Sequence, residues 1–314
     1  MKIVFLDQST CGGNEINFGG FAQIAPTDIY ADLSDPQRII QATIDATVIV
    51  LNKVMLDATL IMQLPSSVRL IVITATGYDN VDIQAATKRK IKVANVPSYG
   101  TDAVAQLTIA MLLNCATNLI TQVNQVNSHG WDKVRGLAIP MMELSGKTLG
   151  IIGLGAIGIR VAQLAMAFGM NVIAYNRTAK IIEGVSLVSL TELAQNSDYV
   201  SLHCALNSNT KAMLDNDFFV QMKDSAYLIN TARGGLINEN DLVNALINKQ
   251  LAGAILDVLT DEPPCSDNQL LKLSNVLITP HIAWGAREAR QRCIDIAVDN
   301  IVKFKQGIGQ NLLN

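Results

Sequence analysis

The chain has 314 residues and a formal net charge of −3, enough for two medium domains with substantial cores. With 49% hydrophobic and only 16% charged residues, it is too apolar for a disordered or solvating chain. The charge balance supplies neither a basic face for nucleic acid nor a polybasic segment for anionic membranes, so neither is expected as a partner.

Residues 2–7 open the chain as a Val/Ile-rich strand. Asp7 interrupts its apolar run too early for the core of a signal peptide. Further strands are predicted over residues 47–53, 70–76 and 92–96, with helices over 36–44, 57–63 and 82–89 between them. Such alternation implies a parallel sheet covered by helices on both faces. Pro97-Ser98-Tyr99-Gly100 is a turn-rich boundary, followed by a long helical pattern over about 101–125. A second series of strands is predicted over residues 148–153, 171–175, 199–203, 226–230, 253–258 and 276–279. A last long helix is expected over 286–306. The apolar stretch 149–175 is broken by Arg160, Gln163 and several glycines, and reads as strand, turn and helix rather than a membrane span.

The fold class expected is therefore α/β, with two doubly wound parallel sheets. If the last helix packs back on the first series, the larger domain (99–284) is inserted in a smaller, flavodoxin-like one (1–98 plus 285–314). A ligand cleft is then expected between them. The cysteines Cys11, Cys115, Cys204, Cys265 and Cys293 are odd in number, widely spaced and without C-x-x-C. No disulfide framework or metal site is expected, and a cytoplasmic location is the default.

Gly153-Leu154-Gly155-Ala156-Ile157-Gly158 follows a predicted strand and opens a predicted helix. In a G-x-G-x-x-G turn the first glycine makes the bend and the second admits a pyrophosphate. The third lets helix and strand pack. Phosphates then meet free N–H groups in the favourable field of a helix N-terminus. An NAD site should end the second strand with an acid. This chain has Asn176-Arg177-Thr178, with no charge to repel a 2′-phosphate and a guanidinium to pair with one. NADP is favoured over NAD, unless Arg177 is only a solvated loop residue.

Hydride transfer to a keto acid needs a cation for the carboxylate and carbonyl, an acid for the carbonyl oxygen, and a group that keeps that acid protonated. The only histidines are His129, His203 and His281. His281 follows a strand at the predicted domain junction. Glu262 and Arg233 follow two other strand ends, where ligands bind in open α/β folds. A carboxylate beside an imidazole favours the imidazolium. His129 suits a loop or dimer contact, and His203 a structural or cofactor-edge position.

The glycine turn, Asn230-Thr231-Ala232-Arg233-Gly234-Gly235, Leu256-Asp257-Val258 with Glu262-Pro263, and Thr279-Pro280-His281 resemble, in order and spacing, the D-isomer-specific 2-hydroxyacid dehydrogenase family. The resemblance spans nearly the whole chain. Residues 2–7, Asn52-Lys53-Val54, Thr74 to Tyr78 and His281 to Trp284 are most similar to its glycerate dehydrogenase (hydroxypyruvate or glyoxylate reductase) branch. The resemblance implies an oxidoreductase acting on a small 2-keto or 2-hydroxy acid with NADP or NAD. Arg233 would bind substrate, His281 would be the acid/base and Glu262 its partner. Ala75, Thr76, Gly77 and Tyr78 would offer amides to the carboxylate, Lys53 would line the far side, and Trp284 would either cap the pocket or serve packing. Val104, His203, Cys204, Ala205, Thr231, Ala232 and Asp257 would border the cofactor, Asp257 at the carboxamide. Ala205 stands where the family has proline, which puts that loop's rigidity in question. A homodimer is implied, with residues 118–146 and Trp131 as its arm. The competing reading is a nucleotide-sensing, corepressor-like binding protein of the same architecture, which needs no acid/base pair.

Overall fold

A computed structural model describes residues 1–314. The chain divides into two compact units, Met1–Gly100 with Gly285–Asn314, and Thr101–Trp284.

The first unit holds five parallel strands: β1 (Ile3–Phe5), β2 (Thr27–Ile29), β3 (Val48–Leu51), β4 (Leu70–Ile73) and β5 (Lys92–Ala94), in the order β2-β1-β3-β4-β5. Alternate residues face opposite ways along a strand. Val4, Ile49 and Ile71 therefore join one apolar cluster with α2 (Pro36–Ala42), α3 (Ala58–Gln63) and α4 (Ile83–Lys88). Each of these helices starts where an aspartate caps it. The Asp35, Asp57 and Asp82 side chains accept from Arg38, Leu60 and Ala85 amides. Phe5, one residue out of phase, meets Phe21 of α1 (Gly19–Ile24) edge to face, with ring centroids 5.6 Å apart. The C-terminal helix, Arg287–Lys305, belongs to this unit. It packs on α1 and β4 and buries Ala289, Cys293, Ile294, Ala297 and Ile301. The tail beyond it pairs antiparallel with β5 at Leu312 and Ala94, covering that sheet edge.

The second unit carries seven parallel strands: β6 (Thr148–Ile152), β7 (Asn171–Tyr175), β8 (Val185–Leu187), β9 (Tyr199–Leu202), β10 (Tyr227–Asn230), β11 (Gly253–Leu256) and β12 (Val276–Ile278). Their order is β12-β11-β10-β9-β6-β7-β8. Both faces are buried, as a parallel sheet requires. Val200, Leu228 and Leu256 pack with α9 (Leu190–Asn196), α10 (Asn216–Phe219) and α11 (Glu239–Ile247). Tyr199, Ile229 and Ile255 pack with α5 (Thr101–Thr117) and α8 (Ala156–Ala167). The strand order reverses between β6 and β9, where a doubly wound sheet opens a crevice at its carboxyl edge.

The structure adds elements to the sequence reading and corrects one expectation. The edge strands β2 and β8 and the short helix α1 were not foreseen. The continuous helix expected over 101–125 is two helices. Asn118 adopts a left-handed conformation (φ 49°), and its side chain donates to Pro140 O at 2.7 Å. α5 on one side of this break is largely buried. α6 (Leu119–His129) and α7 (Lys133–Ala138) beyond it bury no residue. No single helix is long and apolar enough to cross a membrane.

Candidate active site

β6 delivers the chain into the glycine turn, and each glycine there has a different physical reason. Gly153 lies at φ 102°, and a Cβ there would stand 2.7 Å from the Cys204 amide nitrogen. A Cβ on Gly158 would meet Gly153 O at 2.1 Å. These two are closed positions, where β6, α8 and the loop after β9 press together. Gly155 is open: nothing lies within 4 Å of where its Cβ would be. It is also the N-cap of α8, so Ala156, Ile157 and Gly158 begin the helix beside that space. Such a cradle fits the pyrophosphate of a dinucleotide.

Asn176 directly follows β7, and its Oδ1 accepts the Leu154 amide at 2.9 Å. Its Nδ2 donates to Thr178 O at 2.7 Å. Its visible work is to latch the glycine turn. Arg177 and Thr178 are exposed beside it. Lys180, unassigned in the sequence reading, donates to Leu154 O at 3.2 Å.

His203 follows β9. Its Nε2 lies 2.8 Å from Ser201 Oγ, and its Cβ would be 3.4 Å from a Cβ on Gly158. Burial pushes the imidazole down to about 3, so it is neutral at ordinary pH and not a second acid. Burial pushes the neighbouring Cys204 thiol up to about 11. Ala205 lacks the proline's stiffness, but its carbonyl accepts from Thr210 Oγ1 at 2.7 Å, and the same hydroxyl accepts the Asn207 amide. On the other side of the switch point, Val104 is buried in α5, and its carbonyl accepts Thr108 Oγ1. Thr108 Oγ1 is 3.0 Å from Thr231 Oγ1, tying α5 to the end of β10.

Arg233, Glu262 and His281 follow β10, β11 and β12, three adjacent parallel strands, at their carboxyl ends. The buried Asn230 shapes the first of these turns. It accepts the Ala232 amide at 2.9 Å and donates to Arg233 O at 2.9 Å. Gly234 serves backbone packing: a Cβ there would sit 2.0 Å from the Leu259 carbonyl carbon. Glu262 accepts the Leu259 amide on Oε1 and faces His281 Nδ1 with Oε2 at 2.6 Å. That leaves Nε2 as the imidazole nitrogen for exchange with a ligand.

The loop carrying His281 is held by Asp257, which is 1% exposed. Its Oδ1 accepts Thr279 Oγ1 and the Ile282 amide, and its Oδ2 the Ala283 amide at 2.8 Å. Its carbonyl accepts the His281 amide at 2.8 Å. His281 itself adopts φ 53°, a left-handed conformation rare outside glycine. Trp284 donates from Nε1 to His281 O at 3.0 Å, steadying the same turn.

The remaining candidates belong to the first unit. Lys53 is exposed after β3. Ala75, Thr76, Gly77 and Tyr78 follow β4, and their four amides make no hydrogen bond within the chain. A run of unpaired N–H groups at a strand end is a setting for an anion. Sequence reasoning gave no role to Asp7, Asn80, Asn230 or Thr279. For Asp7 a signal existed: an acid placed directly after a buried apolar strand. His129 ends α6 on the exposed surface.

These features define an α/β protein with a glycine turn suited to a dinucleotide and a His281–Glu262 contact at its strand ends. Residues 109–283, over half of the chain, match the model of the D-isomer specific 2-hydroxyacid dehydrogenase family, NAD binding domain. The chain is 37% identical over 323 residues to a hydroxypyruvate reductase of Blautia hydrogenotrophica, covering 100% of both. It is 35% identical over 321 residues to a glycerate dehydrogenase of Methylorubrum extorquens, covering 99% of this chain and 98% of that one. A solved acyclic imino acid reductase, Bsp5, in complex with NADPH and D-Arg, superposes with a TM-score of 0.91 at 29% identity over 100% of both chains. The chain belongs to the D-isomer-specific 2-hydroxyacid dehydrogenase family. It is an NAD(P)-dependent oxidoreductase, and the corepressor-like alternative is not favoured.

Proposed function

We propose that the protein reduces hydroxypyruvate or glyoxylate to the D-2-hydroxy acid or glycolate, with NADPH preferred over NADH. The observation that carries this reading is the 2.6 Å contact between Glu262 and His281 Nδ1, in a unit whose glycine turn suits a dinucleotide. The hydroxypyruvate reductase and glycerate dehydrogenase relatives support the substrate class.

Residues 1–98 with 285–314 form the substrate domain in this reading, and 99–284 the cofactor domain. When bound, the reduced nicotinamide supplies the hydride that adds to the keto carbon. Arg233 holds the substrate carboxylate and polarises its carbonyl. His281 gives its Nε2 proton to the oxygen as negative charge develops there. Glu262, retained on Nδ1, holds the imidazole in place and leaves Nε2 to carry the proton. Lys53 and the amides of Ala75, Thr76, Gly77 and Tyr78 serve the carboxylate, and Trp284 shapes the substrate pocket. Gly153, Gly155, Ala156, Ile157 and Gly158 take the pyrophosphate, with Val104, His203, Cys204, Ala205, Thr231 and Ala232 along the cofactor. Asp257 sets the His281 loop and borders the carboxamide. Arg177 and Thr178 meet the 2′-phosphate of NADPH beside Asn176.

The protein is also read as a cytoplasmic homodimer. Leu119, Trp131, Val134, Leu137 and Met141 are each 60% or more exposed on or beside α6 and α7, an apolar surface suited to a second copy. The functional reading is tested by absorbance at 340 nm with NADPH or NADH and a panel of small 2-keto acids. Oxidation fastest with hydroxypyruvate or glyoxylate and NADPH is expected. Tight cofactor binding without turnover of any keto acid overturns it.

A further inference from the structure

We propose that Asp7 is a positioning residue for substrate binding, acting through the loop that carries Lys53. This rests on the reading that Lys53 serves the substrate carboxylate.

Asp7 follows β1 and is 1% exposed. Its Oδ1 accepts the Asn52 amide at 2.8 Å, and its Oδ2 accepts the amides of Lys53 and Val54, the latter at 3.0 Å. Burying a carboxylate is unfavourable unless its oxygens are satisfied, and here three consecutive N–H groups satisfy them. Burial still raises its carboxyl above the usual range, against the lowering effect of those amides. The other side of the loop is fixed as well. Asn80 Nδ2 donates to Asn52 O at 3.1 Å and Val54 O at 2.9 Å. Asn52 Nδ2 donates to Thr10 Oγ1 at 3.0 Å, and Thr10 in turn donates to Asp7 O.

The loop is thus clamped by its amides on Asp7 and by its carbonyls on Asn80. Its own N–H groups are engaged, so what it presents outward is the exposed Lys53 side chain. The amides of residues 75–78, by contrast, have no partner within the chain. The network sorts the donors after β3 and β4 into a structural set, held inward by Asp7, and a set left for a ligand.

Asp7→Asn tests this at constant shape. An amide has one acceptor oxygen, so at least one of the three N–H groups must then face a donor. The KM for the best keto acid is expected to rise about tenfold while kcat stays within about threefold, the pattern of lost uniform binding. The Kd for NADPH, read by fluorescence, is expected to be unchanged. In a Lys53→Met background the same substitution should change KM by less than about twofold, because neighbours that act through one another are not additive. Asn80→Ser, which loosens the carbonyl side, should shift KM in the same direction by a smaller factor. It keeps the test open if Asp7→Asn fails to fold. A wild-type enzyme inactive on every keto acid overturns the functional reading and this one with it. An active wild type whose KM is insensitive to both variants overturns the Asp7 proposal alone, as does an Asp7→Asn effect of equal size with and without Lys53.

Discussion

Each of the two sheets ends a strand in a buried aspartate that captures a neighbouring loop, and the two captures differ in kind. Asp7 takes three successive amides from residues 52–54, none of which has a positive φ. Asp257 takes a hydroxyl and two amides from residues 279–283, and the residue it bends around, His281, is left-handed at φ 53°. A non-glycine residue there costs roughly 1–2 kcal/mol. The 52–54 loop is therefore held in a conformation its chain accepts readily. The His281 loop is held against its local preference, and the aspartate hydrogen bonds offset the difference. The His281 side chain is aimed by tertiary bonding rather than by its own turn. Disturbing Asp257 should damage turnover, where disturbing Asp7 damages substrate affinity.

The sharpest break of that comparison is at His281 itself. His281→Gln keeps a polar side chain but removes the transferable proton. Its kcat is expected to fall roughly 10³-fold, with NADPH binding retained by fluorescence titration. Turnover near wild type would remove His281 from the proposed chemistry and leave its loop without purpose. Next in size is Asp257→Asn, where one oxygen becomes a donor facing a donor. A misplacement of about 1 Å is enough to lower kcat by up to roughly 10²-fold. Steady-state kinetics should show the loss in kcat with KM little changed. A change confined to KM would make Asp257 equivalent to Asp7 and erase the contrast.

These captures mark where the sequence stops being legible. Arg233, Glu262 and His281 stand out because each lies a few residues beyond an apolar run that reads as a strand, and the sheet order sets those three strands side by side. The Asp7 and Asp257 side chains bond to amides 25 to 47 residues away, and amides carry no residue identity. Nothing in the composition of residues 52–54 or 282–283 announces that their N–H groups are held. The strands missed, β2 and β8, are three-residue edges whose positions are mostly exposed, so no apolar run betrays them. The helix break at Asn118 rests on a single left-handed residue inside an otherwise helical pattern.

A charge that holds no loop should behave differently from both aspartates. Arg177 is exposed, and its guanidinium has no partner within the chain. Arg177→Ala is expected to raise the KM for NADPH about tenfold, the loss of one charge-assisted contact, while leaving that for NADH and the melting temperature nearly unchanged. Equal effects on the two cofactors would dismiss the 2′-phosphate assignment, and a lowered melting temperature would show a structural role.

The smallest effect, on stability alone, sets a buried base against a buried acid. His203 is depressed by burial to about 3, below the ordinary histidine value near 6.5. Below pH 6.5 the unfolded chain binds a proton that the folded chain refuses, so His203 draws stability down as pH falls toward 3. Asp7 has the opposite sign. Its raised carboxyl takes a proton in the folded state before the unfolded chain does, so this group favours folding as pH falls toward 3.8. Difference curves of melting temperature against pH, wild type minus variant, isolate each group from the many carboxylates that titrate in the same range. For His203→Gln the difference should grow more negative from pH 7 to 4.5, the wild type losing more. For Asp7→Asn it should grow more positive as pH approaches 4. Parallel slopes would mean that His203 reaches solvent freely enough to titrate in the folded protein.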